Sequence, residues 1–252
     1  MHFRVFRAFR GKISPPDRGR MARELLKTLY RRKDHLFRVI YEYNLFPTRY
    51  MHPDWLSRLA PQLSEEWFRR LSANPRSERR LSRFILERLN ISEHPFHDFE
   101  DPSHRFALLD SESLADLLFH TGVALCATTI AHQVERKKVM VLKSAIGDRA
   151  YQFALKRAPF LLGPVPPAPC RVNDPADLPL LAIQCGVHCL RACYEGMAPS
   201  FTDRMLLKLP LEYRLYWEAE ESLFLGKARQ AEGILRKVLL HEVKQEWAPY
   251  FS

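Results

Sequence analysis

Residues 111–135 read SESLADLLFHTGVALCATTIAHQVE, and we expect the rest of the fold to be organised around them. Residues 117–134 contain no Asp, Glu, Lys or Arg. At helical spacing the apolar side chains form two stripes, which are Leu114, Leu118 and Leu125, and Phe119, Val123, Cys126, Ile130 and Val134. A helix that is apolar on more than one side is normally covered by its neighbours. The stretch therefore predicts a buried central helix.

Small residues in this stretch would allow other backbones to approach the helix; they are Gly122, Ala124, Ala127 and Ala131. Ser113, followed three residues later by Asp116, resembles a capping box and predicts the start of the helix. A membrane span is disfavoured because spanning needs about 20 mainly apolar residues, and the uncharged stretch 117–134 is shorter. A span here would also place His120 and His132 in lipid.

The net charge of +10 is unevenly distributed along the 252 residues. Residues 1–38 hold twelve Lys and Arg against three Asp and Glu, whereas the remaining residues hold 27 against 26. The basicity is thus assigned to an N-terminal arm, which disfavours a nucleic-acid-binding face on the folded body. The arm lacks the apolar segment of a secretory signal. Either the arm contacts anionic lipid, or it is encoded upstream of a true start codon at Met21.

The number of Cys is odd, at five, and Cys126 lies within the apolar helix. A disulfide framework is therefore not expected, and the cysteines indicate a reducing compartment.

Helical periodicity recurs along the chain without strand alternation, so the predicted fold is all-α, a single helical domain built on the buried central helix. Six of the eighteen Pro fall within residues 163–179 and predict a stiff connector. The predicted divisions are a basic arm and the start of the first helix at 1–38, a helical body at 39–162, the connector at 163–179 and a C-terminal helical region at 180–252. Further helices are predicted at 21–42, 64–72, 77–90, 180–197, 201–209, 211–225 and 227–247. Ser64 is the predicted N-cap of the helix at 64–72, and Ser77 that of the helix at 77–90.

The aromatic segment 41–56 allows two interpretations. Pro47 and Pro53 exclude a continuous helix there. Large aromatic side chains mostly pack inward, which favours a loop pinned to the core, above all at Phe46 and Trp55. Tyr and Trp rings beside Arg49 also have the composition of an interface hot spot. The candidate partner-binding residues are Tyr43, Arg49, Tyr50 and His52, with His97 and Asp98 from the loop 94–104.

Two clusters of the sequence contain residue types that bind metal ions. Cys185 and Cys193 lie eight residues apart, about 12 Å along a helix, so the cysteines between 185 and 193 do not all reach one zinc ion. They fit better as small buried apolar side chains. The loop containing His97 and Asp98 matches no known ligand spacing. Since no nucleophile, base and oxyanion donor come together, we expect neither enzyme activity nor a cofactor.

Three stretches together resemble one protein family. They are YNLFPTRYMHP at residues 43–53, the apolar central helix, and LKSAIGDRAYQFALKRAPFLLG at residues 142–163. They are similar to the SctK proteins, also called YscK, OrgA or MxiK, of bacterial type III secretion systems. The likeness spans about residues 40–252 and is densest between 40 and 163.

The resemblance implies a non-enzymatic cytosolic adaptor, peripheral at the inner-membrane base of the injectisome. It would connect the cytoplasmic domain of the inner-membrane ring protein (SctD-like) to the pods of the sorting platform (SctQ-like), with the stator (SctL-like) and the ATPase beyond. It would insert into no membrane and bind no nucleic acid. Two alternatives stay open. One is a nucleic-acid binder that uses the arm, with salt-sensitive affinity. The other is a metal-dependent enzyme that uses His97, Asp98 or Cys189.

Overall fold

The computed structural model describes residues 35–163, 174–219 and 227–251, and within these ranges the chain is all-α. Its α-helices are α1 His35–Leu45, α2 Asp54–Leu59, α3 Glu65–Ala73, α4 Pro75–Arg88, α5 Ser111–Leu125, α6 Ala127–Ala131, α7 Arg136–Ile146, α8 Asp148–Lys156, α9 Ala158–Leu162, α10 Leu178–Cys193, α11 Pro199–Leu206, α12 Tyr213–Glu218 and α13 Ala228–Val238. Short 3₁₀ helices cover Pro47–Arg49, Pro102–Leu108, Pro175–Asp177 and Gln245–Tyr250, and a π-helix covers Leu239–Val243. Nearly all of the predicted arm, most of the connector and residues 220–226 lie outside the described residues.

The core is built on the crossing of α5 and α10. Gly122 of α5 faces the backbone of Ala182, and Gly186 of α10 faces the backbone of Leu118. A Cβ at Gly122 would lie 2.7 Å from the Cα of Ala182, and one at Gly186 would lie 2.9 Å from the Cα of Leu118. Each helix therefore presents a glycine where the other helix comes closest. The predicted role of Gly122 in admitting another backbone is confirmed.

The central helix is buried as predicted but shorter than predicted. Leu114, Leu118 and Leu125 are at most 3% exposed. The helix ends at Leu125, Cys126 forms a tight turn, and α6 then runs only to Ala131. The turn changes the direction in which the later side chains point. The second predicted apolar stripe therefore does not reach its last residue, Val134, which is 91% exposed.

Helix starts differ from several predictions by a few residues. Asp110, not Ser113, caps α5, and its Oδ1 accepts a hydrogen bond from the Ser113 backbone N–H at 2.8 Å. Asn74, not Ser77, caps α4, with Pro75 as the first helical residue. In both helices an Asx side chain precedes the predicted serine and is also a strong N-cap. The predicted Ser64 cap of α3 is confirmed.

Helices from both sides of the predicted connector share one hydrophobic core. The predicted helix 227–247 is wrong in its second half, because α13 ends at Val238 and changes to a π-helix and then a 3₁₀ helix. The buried Glu242 of that π-helix receives ion pairs from Arg157 (2.7 Å) and Arg149 (3.3 Å). These arginines belong to the stretch 142–163. That stretch therefore binds residues 239–250, which we call the C-terminal segment. In the described part of the chain, no helix has both the length and the apolar character needed to cross a bilayer.

Candidate functional site

The aromatic segment 41–56, which begins in the last turns of α1, is anchored to the core at two points. The chain leaves the helix at Leu45 and turns through Pro47–Arg49, which confirms the predicted breaks at the prolines. The Tyr43 hydroxyl donates to the Phe201 carbonyl at 2.6 Å, and Trp55 Nε1 donates to the Leu209 carbonyl at 2.9 Å. Both side chains are 1% exposed. Core pinning is therefore correct for these two rings and for the buried Phe46.

Arg49 joins three parts of the N-terminal region. Its Nε and Nη2 donate to the two carboxylate oxygens of Glu78 at 2.7 and 3.0 Å, and its Nη1 lies 2.9 Å from Glu42. The guanidinium also lies 4.5 Å from the centre of the Phe46 ring. The hydrogen bonds from Arg49 hold the pKa of the Glu78 carboxyl below its usual value. Arg49 thus fixes the turn to α1 and α4 while its outer edge stays in solvent.

Tyr50 and His52 continue the chain across the C-terminal part of the fold. The Tyr50 hydroxyl donates to the Tyr43 carbonyl at 2.7 Å, and burial raises the pKa of Tyr50. The His52 backbone N–H donates to the Leu207 carbonyl at 2.7 Å. Its Nδ1 lies 3.2 Å from an oxygen of Asp54. Of these two, Tyr50 faces inward and His52 retains a partly exposed ring.

The loop 94–104 has a packed edge and a polar edge. Phe96 and Phe99 pack edge to face at 5.1 Å and join an aromatic cluster with Phe201. The Asn44 side chain binds both the N–H and the carbonyl of Phe96, each at 2.7 Å. Asp98 remains exposed on the other edge. This loop is therefore a fixed surface rather than a loose one.

Three of the predicted residues, Tyr43, Arg49 and Tyr50, surround one cleft of about 260 Å³. The other lining residues come from α1, from the end of the 3₁₀ helix Pro102–Leu108 and the residues before α5, from the residues just after α11, and from the C-terminal segment. They are His35, Val39, Glu42, Leu108, Leu109, Asp110, Lys208, Lys244, Glu246 and Trp247. His52, His97 and Asp98 do not line it. Aromatic rings and charges of both signs therefore meet where the N-terminal and C-terminal regions join.

Lys208 is buried at the inner end of the cleft. Its Nζ donates to the carbonyls of Ala107 and Leu109 at 2.7 and 2.6 Å. The same nitrogen lies 5.4 and 5.1 Å from the ring centres of Tyr43 and Tyr50. Burial lowers the pKa of Lys208 to about 7, although Asp110 acts in the opposite direction. The side chain thus supplies donors to two carbonyls at the C-terminal end of the 3₁₀ helix Pro102–Leu108.

Lys244 and Asp110 form an ion pair at the mouth of the cleft. Lys244 Nζ lies 2.7 Å from Asp110 Oδ2 and 3.7 Å from Glu246. Burial alone would raise the pKa of Asp110, but hydrogen bonds from Lys244 and Ser113 lower it to about 2. The pair connects the start of the central helix to the C-terminal segment. Sequence reasoning missed both lysines, because Lys208 lies 101 and 99 residues from Ala107 and Leu109, and Lys244 lies 134 residues from Asp110. No local pattern marks either lysine.

Two further buried cations hold loop carbonyls in the same way. Arg105 donates to the carbonyls of Phe99 and Glu100 and to that of Tyr250. Arg204 donates to the carbonyls of Ile91 and His94. These contacts explain how irregular backbone can lie deep in the protein. The sequence allows the general expectation that buried loops need hydrogen-bond donors, but no pattern in it identifies Arg105 and Arg204 as those donors.

Neither of the two clusters considered as metal sites is assembled as one. Among the described residues, no group of three or more His, Cys, Asp or Glu is placed to hold a metal ion. Cys185 and Cys189 are buried in α10, as predicted for small apolar side chains, and burial raises the pKa of the Cys189 thiol. His104 Nδ1 lies 2.6 Å from the Asp98 backbone oxygen, so this ring contacts the loop's own backbone.

Comparison with known proteins identifies the family. A family model described as YOP proteins translocation protein K (YscK) matches residues 38–251. No curated protein and no solved structure matches the chain. The family match covers the stretches whose resemblance to the SctK proteins was noted from the sequence. The chain therefore belongs to the YscK family, the SctK family of type III secretion proteins.

Proposed function

We propose that this component of the type III secretion system is a non-enzymatic cytosolic adaptor of the sorting platform. It connects the cytoplasmic domain of the inner-membrane ring protein (SctD-like) to the pod protein (SctQ-like). The stator (SctL-like) and the ATPase follow indirectly, and the adaptor lies at the inner-membrane base of the apparatus. Family membership over residues 38–251 supports this assignment.

The observation that carries a docking role is the cleft between the N-terminal and C-terminal regions. Its floor holds Tyr43, Tyr50 and Trp247, and its rim holds Arg49 and Glu246. Of these rings Tyr50 is partly exposed, whereas Tyr43 and Trp247 are at most 5% exposed, and an aromatic side chain beside charged groups is typical of protein interfaces. The Tyr43 ring is buried, so we propose that it forms the floor of the cleft. The rim residues Arg49 and Glu246 would contact the partner directly. His52, His97 and Asp98 remain candidates for contact outside the cleft.

Arg49 is a poor probe of docking because it stabilises the fold. Arg49→Glu would place a carboxylate beside the buried Glu78 and remove three hydrogen bonds, two to Glu78 and one to Glu42. Breaking a buried ion pair costs about 3–5 kcal/mol. The Arg49 side chain is 39% exposed, so solvent screening reduces the cost to roughly 1–3 kcal/mol. We therefore expect a clear loss of thermal stability, in contrast to the nearly unchanged melt that a purely surface residue would give.

Glu246 gives a cleaner test of the cleft. Its side chain is 74% exposed and lies 3.7 Å from Lys244, so Glu246→Lys should change the thermal melt little. We expect this variant to co-purify less of the ring domain or of the pod protein than the wild type does. Glu195→Lys, which changes an exposed glutamate outside the cleft, is the matched control. Asp98→Lys probes the loop 94–104 in the same assay.

Each result has a defined meaning. If Glu246→Lys and Glu195→Lys both retain the two partners, the cleft is not the docking surface. If Asp98→Lys alone loses a partner, docking belongs to the loop. If the wild-type chain captures neither the ring domain nor the pod protein, the adaptor assignment itself is wrong.

A further inference from the structure

Helix α4 carries a stripe of arginines along its solvent face. Arg76, Arg79, Arg80 and Arg83 are all exposed, and apart from the adjacent Arg79 and Arg80 neighbouring members are three or four residues apart. Residues at this spacing lie on one side of a helix. The stripe is about 10 Å long, since seven residues rise about 1.5 Å each. It forms a continuous cationic surface.

Most of this charge is not neutralised within the described residues. Glu78 of the same helix is buried and forms its ion pair with Arg49, while Arg83 pairs with the exposed Glu87 at 2.7 Å. Arg76, Arg79 and Arg80 have no ion-pair partner among the residues that the structure describes. Like charges at this spacing destabilise a helix, and Arg76 lies in the first turn, where the helix dipole favours acids. The stripe thus works against the stability of its own helix.

The chemistry of the surrounding hairpin fits recognition of another protein. Arginine presents a planar fork that binds carboxylates through two hydrogen bonds. The preceding helix α3 has no fully buried residue, and its Trp67 is 56% exposed with the Arg70 guanidinium 5.3 Å from the ring centre. Arg and Trp are the residue types enriched in the energetic centres of protein interfaces.

We propose that the arginine stripe of α4 is a docking surface for an acidic segment of a partner protein, with Trp67 available to an apolar side chain beside it. Charge complementarity supports this occupant. A nucleic acid or an anionic membrane fits less well, because Glu65, Glu66 and Glu87 are exposed on the same hairpin and would repel a uniformly anionic surface. The stripe shares no residue with the cleft, so the inference goes beyond the adaptor assignment and stands apart from it.

The test uses the full chain and a synthetic amphipathic peptide of about 20 residues, long enough to carry a glutamate stripe at the same helical spacing. Binding is measured by fluorescence anisotropy, with a glutamine version of the peptide, a short DNA duplex and phosphatidylglycerol vesicles as competing probes. The test variant is Arg76→Gln, Arg79→Gln and Arg80→Gln combined. The control variant is Arg136→Gln, Lys137→Gln and Lys138→Gln combined, which removes the same charge from the exposed start of α7.

We expect the wild-type chain to bind the glutamate peptide, the stripe variant to lose at least tenfold in affinity, and the control to stay within about twofold; a tenfold loss corresponds to about 1.4 kcal/mol. Binding should weaken with added salt. Removing the like charges should leave the thermal melt unchanged or raise it, so misfolding will not mimic the result. The proposal is overturned if the wild type does not bind the peptide, if both variants lose affinity equally, or if the DNA or the vesicles bind more tightly than the peptide.

Discussion

Substitution of Gly122 by alanine tests the helix crossing on which the fold depends. In the structure a Cβ at this position would lie 2.7 Å from the Cα of Ala182 and closer still to its carbonyl group. Carbon atoms in contact are normally about 3.5–4.0 Å apart. The clash is with backbone, so no rotamer change relieves it, and α5 and α10 would have to separate by roughly 1 Å.

The size of the effect follows from two opposing terms. Overpacking of a core costs about 1–3 kcal/mol, and a rigid backbone clash belongs at or above the upper end. A separation of this size also forfeits a quarter to a half of each dispersion contact across the crossing. Alanine gains about 0.8–1.0 kcal/mol over glycine in a helix. We expect Gly122→Ala to lower the free energy of unfolding by about 2 kcal/mol or more.

Urea denaturation monitored by circular dichroism measures this change, and Gly233 provides the control. Gly233 lies within α13, and a Cβ there would meet no atom within 4 Å. Gly233→Ala should therefore stabilise the protein by about 0.5–1 kcal/mol. The same substitution is thus predicted to have opposite signs at two helical glycines.

Gly186→Ala should behave like Gly122→Ala, and the double variant should cost less than the sum of the two. A single separation of the helices would accommodate both new methyl groups, so the effects should be coupled. If Gly122→Ala instead stabilised the protein as Gly233→Ala does, the two helices would not approach as described. Strict additivity of the two changes would show that they do not share one crossing.

Three further predictions concern the core and the cleft. Leu118→Ala should destabilise by about 2–5 kcal/mol, because this side chain is fully buried, and a change within error in denaturant unfolding would place the core elsewhere. Lys208→Met should destabilise by roughly 1–3 kcal/mol, because two buried carbonyls lose their donor. The stability of the wild type should rise between about pH 7 and pH 10, because in this range the unfolded chain holds a proton on Lys208 that the folded chain, with a pKa of about 7, has lost. Lys208→Met should remove this rise, and an identical pH profile in the variant would contradict the prediction. The wild type should lose stability as the pH falls through about 2, the folded pKa of Asp110. Asp110→Asn keeps the helix cap but removes the charge, so it should reduce this loss. If urea titrations show the same loss at acid pH in the variant, the ion pair with Lys244 is refuted.

The parts of the fold that the sequence predicted depend on local chemistry. Periodicity placed the central helix, and Pro47 and Pro53 placed the breaks after α1. Gly122 signalled a close approach because a helix interior otherwise disfavours glycine. The turn at Cys126 carried no such signal, since alanines and threonines around it are compatible with a continuing helix. The predicted stripe therefore ran too far, to Val134.

The candidate site depended on contacts between distant residues. The composition of the segment 43–55 predicts an interface, but the cleft also needs residues from the C-terminal region, among them Lys208 and Lys244. The role of Arg49 was likewise hidden, because Glu78 lies 29 residues away and is otherwise an ordinary helix-surface residue in the sequence. Local patterns identify residue types suited to docking, whereas the partners that fix them are set by tertiary packing.

The arginine stripe shows why a net charge averaged over a long segment is a weak guide to partners. Residues 39–252 carry almost equal numbers of positive and negative side chains, so the averaged charge places the basicity in the arm. Within residues 65–90, however, seven Arg face four Glu, and one of those Glu is buried and forms its ion pair with Arg49. Exposed charges separated by more than about 10 Å are largely screened from one another, so acids elsewhere on the body do not cancel this surface. A partner close to α4 therefore meets a positive protein, although the body as a whole is nearly neutral.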